Sequence, residues 1–521
     1  MDKYEALKKY FGHDAFRKGQ EEVIDALAEG EDVLAVMPTG AGKSLCYQIP
    51  ALLSEGITIV VSPLISLMKD QVTALIQAGV PAAYLNSSLT PGQLMTATRR
   101  ARAGAYKLIY VAPERLRAPS FAALAAEADI SYVIVDEAHC VSQWGQDFRP
   151  SYLGIEEFID SLPLRPAVGA FTATATERVR DDIMSLIGLI EPYCITTGFD
   201  RENLYFSVQK PIDKYMALKT FIEQRKRKSG IVYCSTRKNV EEVCERLCAD
   251  GIDATRYHAG LSDEERLRNQ DAFRFDDKTV MVATNAFGMG IDKSNVSYVV
   301  HYNMPKDIES YYQEAGRAGR DGEYAECMLL FSRGDVATCR WLINNSDANE
   351  ELSESERRAI RDKSLERLRR MTDYCETGDC LRKELLGYFG EVAATRCDNC
   401  SNCLGDSEFS AVAKRKRERA DVADEALFEL LKKLRKSMAS SKGVPAYVIC
   451  NDATLADMAA KKPTSVSMMT DISGIGEAKQ RMYGKRFAET IAAYVEGQYD
   501  RDGRQEQKKP RKFTRGISRR G

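Results

Sequence analysis

Met37-Pro38-Thr39-Gly40-Ala41-Gly42-Lys43-Ser44 follows an apolar run, Asp32-Val33-Leu34-Ala35-Val36, and precedes a helical pattern that begins near Leu45-Cys46. Strand, glycine loop, helix is the setting a phosphate-binding loop requires. The glycines Gly40 and Gly42 let backbone N–H groups turn toward a polyphosphate, with Thr39 beside them. Lys43 can place its ammonium near the β- and γ-phosphates, and the Ser44 hydroxyl can ligate Mg²⁺. The helix N-terminus adds the positive end of its dipole. The strict pattern asks for Gly where Met37 stands, and the bland alternative is an ordinary strand-to-helix turn. The flanking strand and helix favour the phosphate loop.

Working outward, apolar β-branched runs alternate with helix-length segments. Ile57–Val61, Lys107–Val111, Tyr132–Val135 and Ala167–Phe171 read as strands. Near-continuous apolar strands separated by helices predict a parallel sheet covered on both faces. Polar residues gather just past the strand ends, where open α/β sheets bind ligands. One such end is Asp136-Glu137-Ala138-His139. Two adjacent carboxylates at a buried strand end repel each other unless a cation stands between them. Asp136 holding Mg²⁺ would relieve that and leave Glu137 to orient or deprotonate an attacking water. A surface acidic pair is the alternative, and the four apolar residues before it count against that.

Upstream, residues 1–30 read as two amphipathic helices around Phe11-Gly12 and contain Phe16-Arg17-Lys18-Gly19-Gln20. The Gln20 amide offers a donor and an acceptor, which suits the adenine N6/N7 edge, or it caps a helix. Downstream, Gly230–Cys234, Thr255–Gly260 and Thr279–Ala283 open a second strand series that has no phosphate loop. This half contains Gln313-Glu314-Ala315-Gly316-Arg317-Ala318-Gly319-Arg320-Asp321-Gly322, which places two arginines three apart on one helical face. An arginine reaching across a cleft can neutralise charge on a γ-phosphate. The interleaved glycines point to close backbone approach over a salt-bridged surface helix.

Composition bounds the rest. The 521 residues suggest roughly three or four domains. Hydrophobic content of 44%, charged content of 29% and a net charge of −2 describe an ordinary soluble chain, so any basic surface must be local. No apolar run approaches transmembrane length and the start does not read as a signal peptide, giving a cytoplasmic expectation with no membrane partner. Most of the 14 cysteines stand singly in apolar segments, as reduced core thiols do. The exception is Cys380 with Cys397-Asp398-Asn399-Cys400-Ser401-Asn402-Cys403, leaving Cys375 spare. Four thiolates at this spacing suit tetrahedral Zn²⁺ or an iron–sulfur cluster.

Directly after the acidic pair, Trp144, Phe148 and Arg149 lie among Gly, Gln, Asp and Pro. Exposed rings in such a segment can stack on bases at about 1–3 kcal/mol each, or Trp144 can anchor its loop to the domain. Lys414-Arg415-Lys416-Arg417 marks a charged linker, and residues 421–497 read as a compact helical domain. Beyond 497 the chain is basic and nearly devoid of apolar residues, the composition of a disordered tail able to touch phosphates.

These motifs, in this order, resemble a superfamily 2 helicase motor over residues 1–335, and specifically the RecQ family of DNA helicases. The resemblance rests on residues 16–20, 37–48, Ser62–Gln71, Asp136–His139, Ala283-Thr284, Ala286–Gly290 and Tyr311–Arg320. It implies an α/β fold of two tandem RecA-like parallel-sheet domains, a small helical zinc-binding module and an all-helical HRDC-like domain. It also implies ATP-driven 3′→5′ movement on single-stranded DNA and duplex unwinding in recombination and repair, with ATP, Mg²⁺ and Zn²⁺ as cofactors. The expected boundaries are 1–200, 201–335, 336–405, a linker at 406–420, 421–497 and a tail at 498–521. By position Arg320 is the arginine finger, with Arg317 supporting it and Gln313 beside them; Gly290 and Asp292 join His13, Arg17 and Gln20 as nucleotide contacts. His13 stands where the family often has an aromatic, so less of an adenine would be covered. The resemblance favours zinc at Cys380, Cys397, Cys400 and Cys403, and reads the segment after the acidic pair as the loop coupling DNA contact to hydrolysis. Tyr447 is a further candidate for DNA contact. Expected partners are single-stranded and 3′-tailed DNA, with single-strand-binding and repair proteins, and the chain acts as a monomer. An RNA helicase and a non-catalytic DNA-binding scaffold are the competing readings. One departure is the joint after Cys403, which is too short for the winged-helix domain that RecQ proteins usually carry.

Overall fold

The computed structural model describes residues 1–144, 148–226, 228–287, 293–345, 354–404 and 424–497. The expected nucleotide contacts Gly290 and Asp292, the linker 406–420 and the tail 498–521 lie outside these. The first sheet has seven parallel strands: β1 (Val33–Val36), β2 (Ile57–Val61), β3 (Ala82–Leu85), β4 (Leu108–Val111), β5 (Ile130–Val135), β6 (Ala167–Thr172) and β7 (Tyr193–Thr196). Their order is β3-β4-β2-β5-β6-β1-β7. β1, β2 and β4 are buried along their whole length, as expected of strands covered on both faces. Val36 stands beside Thr172 in the register, so the phosphate loop leaves the sheet next to the end of β6.

The second sheet has six parallel strands: β8 (Leu204–Gln209), β9 (Ser229–Tyr233), β10 (Ala254–Tyr257), β11 (Val280–Ala283), β12 (Val296–His301) and β13 (Ala325–Leu330). Their order is β10-β11-β9-β12-β13-β8. The strap from β7 to β8 joins the two motor domains. They also meet through an ion pair of 2.5 Å between Asp70, on the helix Ile65–Gln77, and Arg274, on the helix Asp263–Arg274.

A helical module follows, built on Glu354–Glu376 and Leu381–Tyr388. Its closing loop lies along β8. Cys400 bridges Phe206, Ser401 donates its N–H to the Phe206 carbonyl at 2.9 Å, and the Ser401 hydroxyl accepts from Val208 N–H at 3.3 Å. Phe389 stacks on Phe199 of the strap, ring centres 4.6 Å apart.

Residues 424–497 form a separate helical core around Leu427, Leu431, Ile449, Leu455, Phe487 and Ile491. Inside it Arg435, buried, pairs with Asp452 at 2.7 Å and donates to the Cys450 carbonyl at 2.9 Å. This domain packs on the motor through backbone. The Gly474 N–H donates to the Gly12 carbonyl at 2.9 Å. A Cβ on Gly12 would lie 2.5 Å from the Ile475 nitrogen, and one on Gly476 would lie 2.6 Å from the Lys9 carbonyl oxygen. Glycine at both positions is what permits this approach. Tyr483 adds a 2.6 Å hydrogen bond to Gln77 of the first domain, and Lys436 reaches Asp277 of the second at 3.3 Å.

Candidate active site

A cavity of about 390 Å³ opens between the two motor domains. Thr39, Gly40, Gly42, Lys43, Ser44, Asp136 and Glu137 line it from one side, and Gln313, Arg317 and Arg320 from the other. His13, Arg17 and Gln20 close one end. The fold thus brings together every described residue expected at the nucleotide. Gly40 and Gly42 take φ of +84° and +83°, the left-handed backbone a phosphate loop needs. Lys43 reaches the Met37 carbonyl at 3.1 Å; burial pushes its pKa down, against the pull of Glu137 and Asp136.

The adenine-end residues are held by the phosphate loop itself. Gln20 donates to the carbonyls of Ala41 and Gly42 at 2.9 and 3.2 Å and accepts from Arg17 N–H at 2.8 Å. Arg17 donates to the Gly40 carbonyl at 2.6 Å. The Gln20 amide therefore braces the phosphate loop in this arrangement. Burial, with Arg17 and Lys479 adding, lowers the pKa of His13 below the ordinary imidazole value.

The acidic pair is strained and tightly framed. Glu137 sits at φ 49°, ψ 46°, a left-handed conformation that costs a non-glycine residue about 1–2 kcal/mol. Burial, then the adjacent Glu137, pushes the Asp136 carboxyl up to about 7. Glu137 Oε2 is buried with no hydrogen-bond partner among the described residues, and His139 Nδ1 stands 3.4 Å from it. Two crowded carboxylates beside the Ser44 hydroxyl are a donor set that fits a small hard cation. Tyr152, fully buried, donates its hydroxyl to the Asp136 carbonyl at 2.9 Å. His139 Nδ1 lies 2.9 Å from the Thr172 hydroxyl, linking the acidic strand end to the end of β6.

The helical-face expectation for Arg317 and Arg320 needs correction. The helix Ile308–Ala315 stops before both, and they stand on the turn that follows. Gly316 caps the helix, and Gly319 at φ +57° and Gly322 at φ +88° turn the chain further on, in the loop that carries both arginines. Sequence reasoning also passed over Arg201 in the strap. Its guanidinium donates to the Thr39 carbonyl and to the Gly319 carbonyl, the latter at 2.7 Å. The signal was a lone arginine in the joint Gly198–Asn203 between two strand series. Tyr152 carried no signal beyond its closeness to Trp144.

In the aromatic segment, the Trp144 ring lies between two cations. The Arg178 guanidinium is 3.4 Å from the ring centre and the Lys363 ammonium 3.6 Å. The Trp144 carbonyl accepts from Arg367, so this indole joins the first motor domain to the long helix Glu354–Glu376. Phe148 is half-buried, and Arg149 donates to the Pro63 carbonyl at 2.9 Å. Tyr447, half-buried, faces the motor beside Arg274.

Cys380, Cys397, Cys400 and Cys403 converge with all four sulfurs within 4.8 Å of one another. Four sulfurs this close match a tetrahedral thiolate site, in which Zn–S bonds of about 2.3 Å set the spacing. Cys397 Sγ donates to Cys403 Sγ at 4.0 Å, and the neighbouring Cys397 thiol holds the Cys400 pKa well below the ordinary thiol value. Cys375 is buried apart from the cluster.

Two nucleotide-gripping jaws on tandem parallel sheets define a helicase motor. The same architecture is found in Mss116p bound to single-stranded RNA and AMP-PNP, at 17% identity and a TM-score of 0.54 over 71% of this chain and 86% of that one; at that identity the likeness shows the fold alone. Family models match in series: DEAD/DEAH box helicase at 17–183, helicase conserved C-terminal domain at 213–322, RecQ zinc-binding at 333–404 and HRDC domain at 424–491. The chain is 38% identical to the ATP-dependent DNA helicase RecQ of Bacillus subtilis over 94% of its own length and 98% of the relative's. It is 35% identical to the protein of that name from Pasteurella multocida, over 94% and 93%. The chain belongs to the RecQ family of ATP-dependent DNA helicases. That sets aside the RNA-helicase reading, and the presence of Lys43, Asp136, Glu137, Arg317 and Arg320 in one cavity sets aside the non-catalytic scaffold.

Proposed function

We propose that this helicase moves 3′→5′ and takes its grip from the single strand, loading on a 3′ tail and holding blunt duplex weakly. The observation that carries the catalytic part is the single cavity in which Lys43, Asp136 and Glu137 face Gln313, Arg317 and Arg320. Lys43 contacts the β,γ-phosphates, Glu137 orients and deprotonates the attacking water, and Arg320 neutralises charge on the γ-phosphate with Arg317 behind it. Ser44 and Asp136 would hold Mg²⁺, which would supply positive charge beside the phosphates. Closure of the jaws on ATP and reopening after hydrolysis steps the motor along DNA. Trp144, Phe148 and Arg149 contact the strand, and Tyr152 joins their segment to Asp136 through the 2.9 Å hydrogen bond.

The loading preference follows from a short joint. The zinc-binding match ends at 404 and the HRDC match begins at 424. Chains below about 40 residues seldom fold unaided, so the joint has no room for a duplex-gripping domain. The alignment with the Bacillus subtilis relative runs over 588 positions, more than the 521 residues here, so that relative carries segments this chain lacks. The helicase acts as a monomer, and single-strand-binding and repair proteins are its candidate partners. None of the described helices is long and apolar enough to cross a membrane. The test is fluorescence anisotropy at one fixed salt concentration on blunt, 3′-tailed and 5′-tailed duplexes, with strand separation on the same DNAs and on RNA duplexes. Binding and unwinding favour the 3′ tail; equal affinity for blunt duplex would reveal a duplex-binding surface elsewhere and refute the account.

A further inference from the structure

Arg201 connects both jaws of the ATP cleft from the strap between them. A guanidinium carries five N–H donors in one plane, and here each has an acceptor. Nε donates to Asn203 Oδ1 at 3.3 Å. One terminal nitrogen donates to the Thr39 carbonyl of the phosphate loop and to the Gly316 carbonyl at 3.4 Å. The other donates to the Ala318 carbonyl at 3.2 Å and the Gly319 carbonyl at 2.7 Å. Asn203 reinforces the second loop by donating to the Gly319 and Glu323 carbonyls at 2.9 and 2.7 Å. Gly40 makes room, since a Cβ there would stand 3.0 Å from the guanidinium.

The strap that carries Arg201 is fixed from behind. Arg382 donates to the Arg201 carbonyl at 3.0 Å and to the Leu204 carbonyl at 2.5 Å. Asn399 donates to the carbonyls of Glu202 and Leu204, each at 2.9 Å. Four of the five guanidinium bonds stay within the second jaw and its strap; only the bond to Thr39 crosses to the first. Burial and the nearby Arg320 and Arg17 disfavour the charge on Arg201. A cation facing only carbonyl oxygens is an expensive way to hold two loops together. What it provides is a fixed separation between Lys43's loop and Arg320's loop, with positive charge beside the phosphate loop.

We propose that Arg201 is a positioning residue for ATP hydrolysis: it seats the arginine-finger loop against the phosphate loop when the jaws close. The proposal rests on the reading of this cleft as the ATPase site, which Lys43→Ala tests separately. Lysine keeps the charge but, as a point donor, cannot span both loops. In the full chain, Arg201→Lys and Arg201→Met should lower the DNA-saturated kcat by about 100-fold, the scale of a misplacement near 1 Å. The dissociation constant for a fluorescent non-hydrolysable ATP analogue should stay within about threefold of wild type, as expected when an interaction acts on turnover more than on ground-state binding. The melting temperature should hold. Retention of kcat in Arg201→Lys would overturn the proposal, because charge alone would then suffice. So would loss of analogue binding in proportion to kcat, which would make Arg201 a binding residue. A fall in melting temperature shared by both variants, with kcat per folded molecule unchanged, would make it structural.

Discussion

Replacing Trp144 by alanine removes one ring from two tasks, and the structure gives each a size. As an anchor, the indole is clasped by Arg178 at 3.4 Å and Lys363 at 3.6 Å. Cation–π contacts contribute about 0.5–1 kcal/mol when exposed and about 2 when desolvated. For a half-buried ring the pair together is worth about 1–3 kcal/mol. One kcal/mol moves the melting temperature of a domain of 150–250 residues by about 2–4 °C, so a fall of several degrees is expected. As a DNA contact, the ring exchanges one of these cations for a base, which stacks for about 1–3 kcal/mol. That corresponds to a rise of about 5–150-fold in the single-stranded DNA concentration that half-activates the ATPase. The assay is steady-state ATP hydrolysis against oligonucleotide concentration at one salt concentration, alongside thermal melting of the same preparation. Basal hydrolysis should persist, and Trp144→Phe should recover much of the DNA response. A lower melting temperature with an unchanged half-activating DNA concentration would show that Trp144 only anchors its loop, and the coupling argument would fail.

Lys43→Ala should abolish hydrolysis and unwinding, while Glu137→Gln should bind the ATP analogue normally and lose turnover; near-normal unwinding by either would unseat the assigned roles. Elemental analysis should find one zinc per chain, and Cys400→Ser should give little soluble protein, since the folding energy of such modules is largely metal binding; brown, iron-containing protein would favour the cluster alternative. Burial, with Arg367 and Arg178 nearby, pushes Lys363 down to about 8, with Glu309 and Glu366 opposing. Its folded pKa lies below the unfolded value, so this group's penalty on stability is full below pH 8 and fades as pH rises from 8 to 10.5. In a Trp341→Phe background, Trp144 fluorescence should therefore titrate near pH 8 as the ammonium over its face is neutralised, and Lys363→Met should flatten that curve.

What could be read from the chain was what lay close together along it. The phosphate loop, the acidic pair and the three clustered cysteines each compress their chemistry into a few residues, and the buried strands beside them are continuous apolar runs. β3 and β7, four residues each, were passed over, and so were β8, β12 and β13, which no compact motif marks. Arg201 was missed because its meaning is entirely distant: Thr39 lies 162 residues away and Gly319 118. Tyr447 was read for DNA from local composition. The docking of its domain on the motor, through Gly12 and Gly476, has no local signature, because a glycine that permits close approach looks like any other glycine until its neighbour is known.

The contact between Cys400 and Phe206 has a consequence for how this protein fails. β8 is the outermost strand of its sheet, and one side of its backbone is taken up by the cysteine loop at Phe206 and Val208. If the thiolates are oxidised or stripped of metal, that loop has little reason to stay, and a row of unpaired N–H and C=O groups on an apolar strand faces solvent. Such an edge is a template for another copy of the same strand. Loss of the metal should therefore appear first as self-association that worsens with protein concentration, with the ATP cleft of each remaining monomer still able to bind nucleotide.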